Sequence, residues 1–285
     1  MKDRLNLIYK SKIVVKIGTS LLTHSSGKIN FQRIEKLVKV LSDLRNNGKY
    51  VILVSSGAIA VGAGKIGLQQ RPSKLSDKQA LAAIGQTELI KIYELFFSNY
   101  KQIVAQVLLT KDGVVNPIRR FNAKNTLNTL LNMNIIPIIN ENDTVSTDEI
   151  EFGDNDTLSA QVSSLIDADL LIILSDIDGL YDDDPRKNNS AKIISKVTEI
   201  SSEIEEFAGS AGSNFAKGGM ITKISAANFC IKTGIDMIIA SGKNPAIIFD
   251  ILKGEDLGTL FVAKKEFDLD QLAKIPPHLF KEKLG

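Results

Sequence analysis

Short, unbroken apolar runs alternate along the chain with stretches in which apolar residues return at helical spacing. Runs at 13–17, 50–54, 103–109, 135–139, 170–174 and 237–240 predict buried strands. After the first of these, Phe31, Ile34, Leu37, Val38, Leu41 and Leu44 fall on one helical stripe. Asn30 is its expected N-cap and Gly48 its stop. Helical patterns also cover 76–98, 117–132, 157–166 and 220–232. Such alternation predicts an α/β fold, a three-layer αβα sandwich around a mostly parallel sheet. Residues 170–174 are apolar without alternation, as expected of a strand covered on both faces. Residues 145–152 alternate more, which predicts a small hairpin on the rim of the sheet. From Lys264 the chain is charged and carries Pro276-Pro277, so the expected division is one domain, 1–263, followed by a short tail, 264–285.

Composition narrows the chemistry. Lys plus Arg number 35 and Asp plus Glu 33, a net charge of +2, which argues against a nucleic-acid partner. The single cysteine, Cys230, excludes an intrachain disulfide and a cysteine-built zinc site. The two histidines, His24 and His278, exclude a histidine metal cluster. The apolar runs are far shorter than the roughly 20 residues that span a bilayer. Lys10, Lys12 and Lys16 interrupt any signal-like segment at the start. The expected setting is cytoplasmic, without a membrane partner.

Five segments at strand ends or helix starts carry candidate chemistry. Lys16-Ile17-Gly18-Thr19-Ser20 offers an ammonium, a glycine and free N–H groups, which suit a phosphate, although an ordinary polar turn has the same composition. Ser55-Ser56-Gly57-Ala58 repeats that design after the next strand, where a serine N-cap is the plainer explanation. Asn140-Glu141-Asn142-Asp143 and Asp154-Asn155-Asp156 bring carboxylates and amides without a basic residue. They suit an amino group, a hydrated Mg²⁺ or phosphate-binding lysines, or else a solvated loop. Ser175-Asp176, followed by Asp178-Gly179 and Asp184-Pro185-Arg186, stands at another strand end, where turn formation alone accounts for Asp-Gly and Asp-Pro. Lys217-Gly218-Gly219-Met220-Ile221-Thr222-Lys223 enters a helix, so phosphate at its N-terminus and a mobile lid are both readings.

In this order, the motifs Val15-Lys16-Ile17-Gly18-Thr19-Ser20, Ser56-Gly57-Ala58, Asn140-Glu141-Asn142-Asp143, Gly153-Asp154-Asn155-Asp156, Asp178-Gly179-Leu180-Tyr181 and Gly218-Gly219-Met220 with Lys223 resemble the amino acid kinase family. Within it they resemble the branch that phosphorylates the γ-carboxylate of L-glutamate. The resemblance implies MgATP as phosphoryl donor, L-glutamyl 5-phosphate as product, and the first step of proline biosynthesis. It implies that Lys16 and Lys223 flank the transferring group and that Asp156 orients both lysines. Ser56, Asp143 and Asn155 match glutamate-binding positions. ATP would be held by Lys16, Gly18, Thr19, Ser20, Ser175, Asp176, Lys217, Gly218, Gly219, Met220, Ile221, Thr222 and Lys223, with no protein side chain bound directly to the metal. It further implies proline as feedback inhibitor, a glutamyl-phosphate reductase as the next enzyme, and a homo-oligomer, dimer or tetramer. The apolar positions Leu81, Ile84, Leu89, Ile92, Leu95 and Phe96 suit either a subunit interface or a buried helix. Two features depart from the family pattern: Lys217 stands where threonine is common, and the tail takes the place of the C-terminal PUA domain many members carry.

This chemistry needs no histidine. A side-chain carboxylate is ionised at neutral pH and is already a nucleophile. The barrier is the approach of one anion to another, which lysines, N–H groups and Mg²⁺ lower. A sister kinase acting on N-acetylglutamate, aspartate, carbamate or a nucleoside monophosphate, and a non-catalytic amino acid sensor, are the competing readings. A Rossmann dehydrogenase is excluded, because no GxGxxG follows the first strand.

Overall fold

In the computed structural model the structure describes residues 2–24, 27–68, 72–110, 113–114, 116–145, 155–210 and 219–263. The expected hairpin at 145–152 and the tail from 264 lie almost wholly outside these, with only Val145 of the hairpin described. Eight strands form one sheet: β1 Lys12–Ile17, β2 Tyr50–Val54, β3 Val104–Leu109, β4 Ile136–Glu141, β5 Leu170–Ser175, β6 Lys196–Val197, β7 Asp236–Ser241 and β8 Thr259–Phe261. Their spatial order is β3-β4-β2-β1-β5-β7-β8-β6. The first six in that order are mutually parallel, and β8 runs antiparallel to β7.

The helices are α1 Lys2–Leu5, α2 Thr19–Leu22, α3 Phe31–Asn46, α4 Ala58–Lys65, α5 Leu75–Asn99, α6 Pro117–Asn132, α7 Asp156–Leu165, α8 Ser202–Ser210, α9 Met220–Lys232 and α10 Ile247–Leu252. Local signals set their ends. The Asn30 side chain accepts from Arg33 N at the start of α3, and Gly48 takes a left-handed φ of 79° beyond its end. Asn116 caps α6 in the same way, with Pro117 in the first turn.

The period-2 alternation of strand side chains sorts the core into two layers. Ile13, Val15 and Ile17 of β1 pack with Leu37 and Leu41 of α3, Val61 of α4 and Leu89 of α5. Val14 points the other way, with Leu127 of α6, Leu158 and Val162 of α7, and Ile224 and Ala227 of α9. Lys16 is in phase with Val14, so the last position on that face of β1 is a lysine directed toward α7 and α9.

The stripe on α5 is mostly core: Leu81, Leu89 and Ile92 are buried, whereas Ile84 and Leu95 are exposed. Its close crossing with α4 depends on two glycines. A Cβ at Gly85 would stand 1.8 Å from Ala58 O, and one at Gly62 2.0 Å from Leu81 O.

Candidate active site

The order of the parallel strands reverses at β1, which has β2 and β4 on one side and β5 and β7 on the other. Loops at the carboxyl ends of strands around such a point meet in a crevice. Register places Lys16 opposite Val54 on one side and Ile173 on the other, and Val54 opposite Ile139. The segments beginning at Lys16, Ser55, Asn140 and Ser175 therefore leave the sheet from one edge.

Lys16 and Lys223, which are 207 positions apart (223 − 16 = 207), converge on one carboxylate. Lys16 Nζ lies 2.6 Å from Asp156 Oδ1 and Lys223 Nζ 3.0 Å from Asp156 Oδ2. All three residues are buried, and Asp156 is fully so. Asp156 opens α7, where the helix dipole favours an anion, and Lys223 lies in the first turn of the neighbouring α9. Thr222 Oγ1 lies 3.1 Å from Asp156 Oδ2 and 3.0 Å from Gly219 O, so its one proton is shared between the carboxylate and the backbone at the start of α9.

The first loop runs past this cluster. A Cβ on Gly18 would be 4.0 Å from Lys16 Nζ and 3.9 Å from Leu174 O, so the backbone there passes close to the ammonium and to the end of β5. Thr19 and Ser20 open α2, and Ser20 is exposed. Gly57 has a φ of 85°, and a Cβ there would meet Thr19 Cγ2 at 3.1 Å. The backbone conformation favours glycine there, and any larger residue would also have to displace the Thr19 side chain by a few tenths of an ångström.

Asn155 is the N-cap residue of α7 but makes no capping hydrogen bond. Its Nδ2 donates instead to Ser55 O at 2.6 Å, Asn140 Oδ1 at 2.6 Å and Ser56 Oγ at 3.3 Å. Asn140 Oδ1 also accepts from Glu141 N at 3.0 Å. Asp143 is buried in the turn after β4, where Asn142 N donates to Leu109 O. Ser56 and Asn155, two of the expected glutamate-binding residues, are therefore in contact, and Asp143 lies on the loop that shares Asn140 with them.

Of the residues expected to hold the nucleotide, Ser175 is buried at the end of β5 and its hydroxyl donates to Asp176 Oδ1 at 3.1 Å, while Asp176 is exposed. Gly219 is the N-cap residue of α9, Met220 is buried, and Ile221 is exposed. Thr222 faces Asp156, and its hydroxyl reaches both that carboxylate and Gly219 O. Lys217, Gly218 and Asp154 lie outside the described residues.

Two contributors, Tyr93 and Gln86, escaped the sequence reading. Ser55 Oγ and Tyr93 OH are 3.0 Å apart, and Gln86 Nε2 donates to Glu141 O at 3.1 Å, all buried. Burial pushes the Tyr93 phenol well above its ordinary range. The available signal was two polar-capable residues seven positions apart on the apolar face of α5, a spacing that puts them on one side of a helix.

Residues 11–241 match the model of the amino acid kinase family. The chain belongs to that family. Among its curated relatives, a glutamate 5-kinase of Clostridium perfringens is 58% identical over 258 residues, 89% of this chain and 96% of that protein. A glutamate 5-kinase of Listeria monocytogenes is 53% identical over 267 residues, 92% of this chain and 97% of that protein. One of Thermoanaerobacter is 52% identical across 90% of this chain, which spans 68% of that protein's length. Among solved structures, UMP kinase from Bacillus anthracis superposes with a TM-score of 0.60 at 17% identity, over 90% of this chain and 98% of that one. That likeness concerns the fold alone, the three-layer sandwich of the amino acid kinase family.

Proposed function

We propose that this chain transfers the γ-phosphoryl group of ATP to the γ-carboxylate of L-glutamate, forming L-glutamyl 5-phosphate and ADP. The observation that carries the reading is the meeting of Lys16 and Lys223 on Asp156 at the carboxyl edge of the sheet. The relatives named for this activity, at 52–58% identity, support it.

The acceptor carboxylate is ionised at neutral pH, so the reaction needs no general base. The two ammoniums, held by one carboxylate, stand where negative charge spreads over the migrating phosphoryl oxygens. Gly18, Thr19 and Ser20 offer backbone N–H groups to the phosphates beside Lys16. Ser56 and Asn155 receive the acceptor, and Asp143 meets its α-amino group. A fixed arrangement of these loops supplies the in-line approach, which can be worth several powers of ten in rate.

Mg²⁺ belongs to the proposal as the nucleotide's counter-ion, coordinated by phosphate oxygens and water. The donor set fits that mode, because both oxygens of Asp156 already face ammoniums. When bound, the cation neutralises phosphate charge. Proline as a feedback inhibitor overlapping the glutamate position, a reductase that consumes the unstable acyl phosphate, and a homo-oligomer are parts of the same proposal. So is a cytoplasmic setting; among the described residues no helix is long and apolar enough to cross a membrane.

The test is acceptor-dependent release of ADP from MgATP with a panel of acceptors, glutamate, aspartate, N-acetylglutamate and UMP, together with hydroxylamine trapping of the acyl phosphate formed from the carboxylate acceptors. Glutamate is expected to give the highest kcat/KM, and proline to raise the KM for glutamate. Preference for another acceptor overturns the reading.

A further inference from the structure

The loops that receive the acceptor are held from behind by one helix. Ser55 is fixed at three points. Its N donates to Ile139 O at 2.8 Å, its carbonyl accepts from Asn155 Nδ2 at 2.6 Å, and its hydroxyl meets Tyr93 OH at 3.0 Å. Its Oγ also lies 3.4 Å from Ser56 O, and either hydroxyl can donate in the shorter Ser55–Tyr93 pair. Seven residues earlier on α5, Gln86 Nε2 donates to Glu141 O, in the segment leading to Asp143. The two side chains thus reach the ends of β2 and β4 from one face of α5.

Between them lies a cavity of about 10 Å³, lined by Ser55, Gln86, Tyr93, Gln106 and Asn140 together with the apolar side chains of Leu89, Ile90 and Ile138. That volume holds no metabolite. The polar groups around it therefore act on the protein's own loops. Tyr93 and Gln86 are both buried, and each directs its polar group to a loop of the protein, Tyr93 to the Ser55 hydroxyl and Gln86 to the Glu141 carbonyl. A polar pair buried in an apolar helix face carries a desolvation cost that a purely packing role would avoid.

We propose that Tyr93 and Gln86 are positioning residues for the phosphoryl acceptor: through Ser55 and Glu141 they set the spacing of the loops after β2 and β4, and hence the acceptor KM. This rests on the reading that those loops hold the acceptor. The nucleotide side of the site, around Lys16, Ser175 and α9, has no contact with either residue among the hydrogen bonds of the described residues.

The experiment compares Tyr93→Phe and Gln86→Met with the parent enzyme in the ADP-release assay, using whichever acceptor of the panel the parent prefers. Each variant is expected to raise the acceptor KM roughly fivefold or more, the factor that follows from losing one neutral hydrogen bond. The KM for ATP and kcat should stay within about twofold. A double-mutant cycle of Tyr93→Phe with Ser55→Ala should show the double variant no worse than the poorer single one. An unchanged acceptor KM alongside a lowered Tm, or equal shifts in both KM values, overturns the inference by reducing the pair to a structural role. Because the acceptor is chosen by the parent enzyme, the identity of that acceptor tests the proposed function separately.

Discussion

Replacing Asp156 by Asn is the most direct probe of the site. The substitution keeps the shape of the side chain and an oxygen for Thr222, but removes the charge shared by Lys16 and Lys223. At separations of 2.6 and 3.0 Å, each ion pair is worth about 5–6 kcal/mol of gross Coulomb attraction at an effective dielectric of about 20. Desolvation of three buried charged groups offsets much of this, so the net stability at stake is about 3–5 kcal/mol, the usual cost of breaking a buried pair from one side. The larger consequence is geometric. Two ammoniums repel, and without the carboxylate they no longer face one point. A loss of about 10²–10³ in kcat is expected, comparable to removing one preorganised electrostatic donor. Steady-state kinetics at saturating acceptor and MgATP gives kcat, and near-UV circular dichroism verifies that the variant is folded at the assay temperature. A folded variant with kcat within tenfold of the parent would refute the claim that Asp156 aims the lysines.

Other perturbations separate chemistry from architecture. Lys16→Ala and Lys223→Ala should each lower kcat by at least about 10² while far-UV circular dichroism stays native, since each removes one side of the phosphoryl clamp. Gly85→Ala should destabilise by about 1–3 kcal/mol or more in thermal denaturation, because its Cβ would stand 1.8 Å from Ala58 O at the α4–α5 crossing. Asp169 provides a pH test. Burial alone would raise its carboxyl, but hydrogen bonds from Lys12 N, Ser11 N and Ser11 Oγ, with the charge of Lys10, outweigh that and hold it below its ordinary value. A carboxyl lowered on folding stabilises above its unfolded pKa, near 3.9, and loses that contribution as pH falls through the folded value. The Tm advantage of the parent over Asp169→Asn should therefore be constant from about pH 5 to 7 and shrink below about pH 4, as followed by thermal melts across that range.

Much of the fold is legible in local pattern. The strand Tyr50–Val54 and the helices Pro117–Asn132 and Met220–Lys232 coincide with their apolar periodicity, because a long amphipathic stripe and a short doubly buried run each have one economical solution. The shortest elements, α1, α2, α10, β6 and β8, carry too few residues for a period to show. Their places are fixed by long-range contacts instead. Arg4, for example, reaches Ser195 O, Leu257 O and Gly258 O from the other end of the chain.

The candidate site divides in the same way. Lys16, Ser56, Asn155 and Lys223 stand out in sequence through the ordered set of motifs they belong to, since each motif alone is equally an ordinary turn, cap or solvated loop. Tyr93 and Gln86 do not, since within α5 they read as part of a helix face.

The chain alone determined the layer pattern, the edge of the sheet where polar loops gather, and a chemistry without histidine. Those follow from periodicity and side-chain type, which are local properties. Only the tertiary structure decided that the side chains of residues 16, 156 and 223 meet at these distances, that Thr222 turns toward the carboxylate, and that Tyr93 and Gln86 of α5 reach the ends of β2 and β4. Convergence of distant segments depends on strand order and helix packing, which arise from the whole core and leave no mark on any single stretch of sequence.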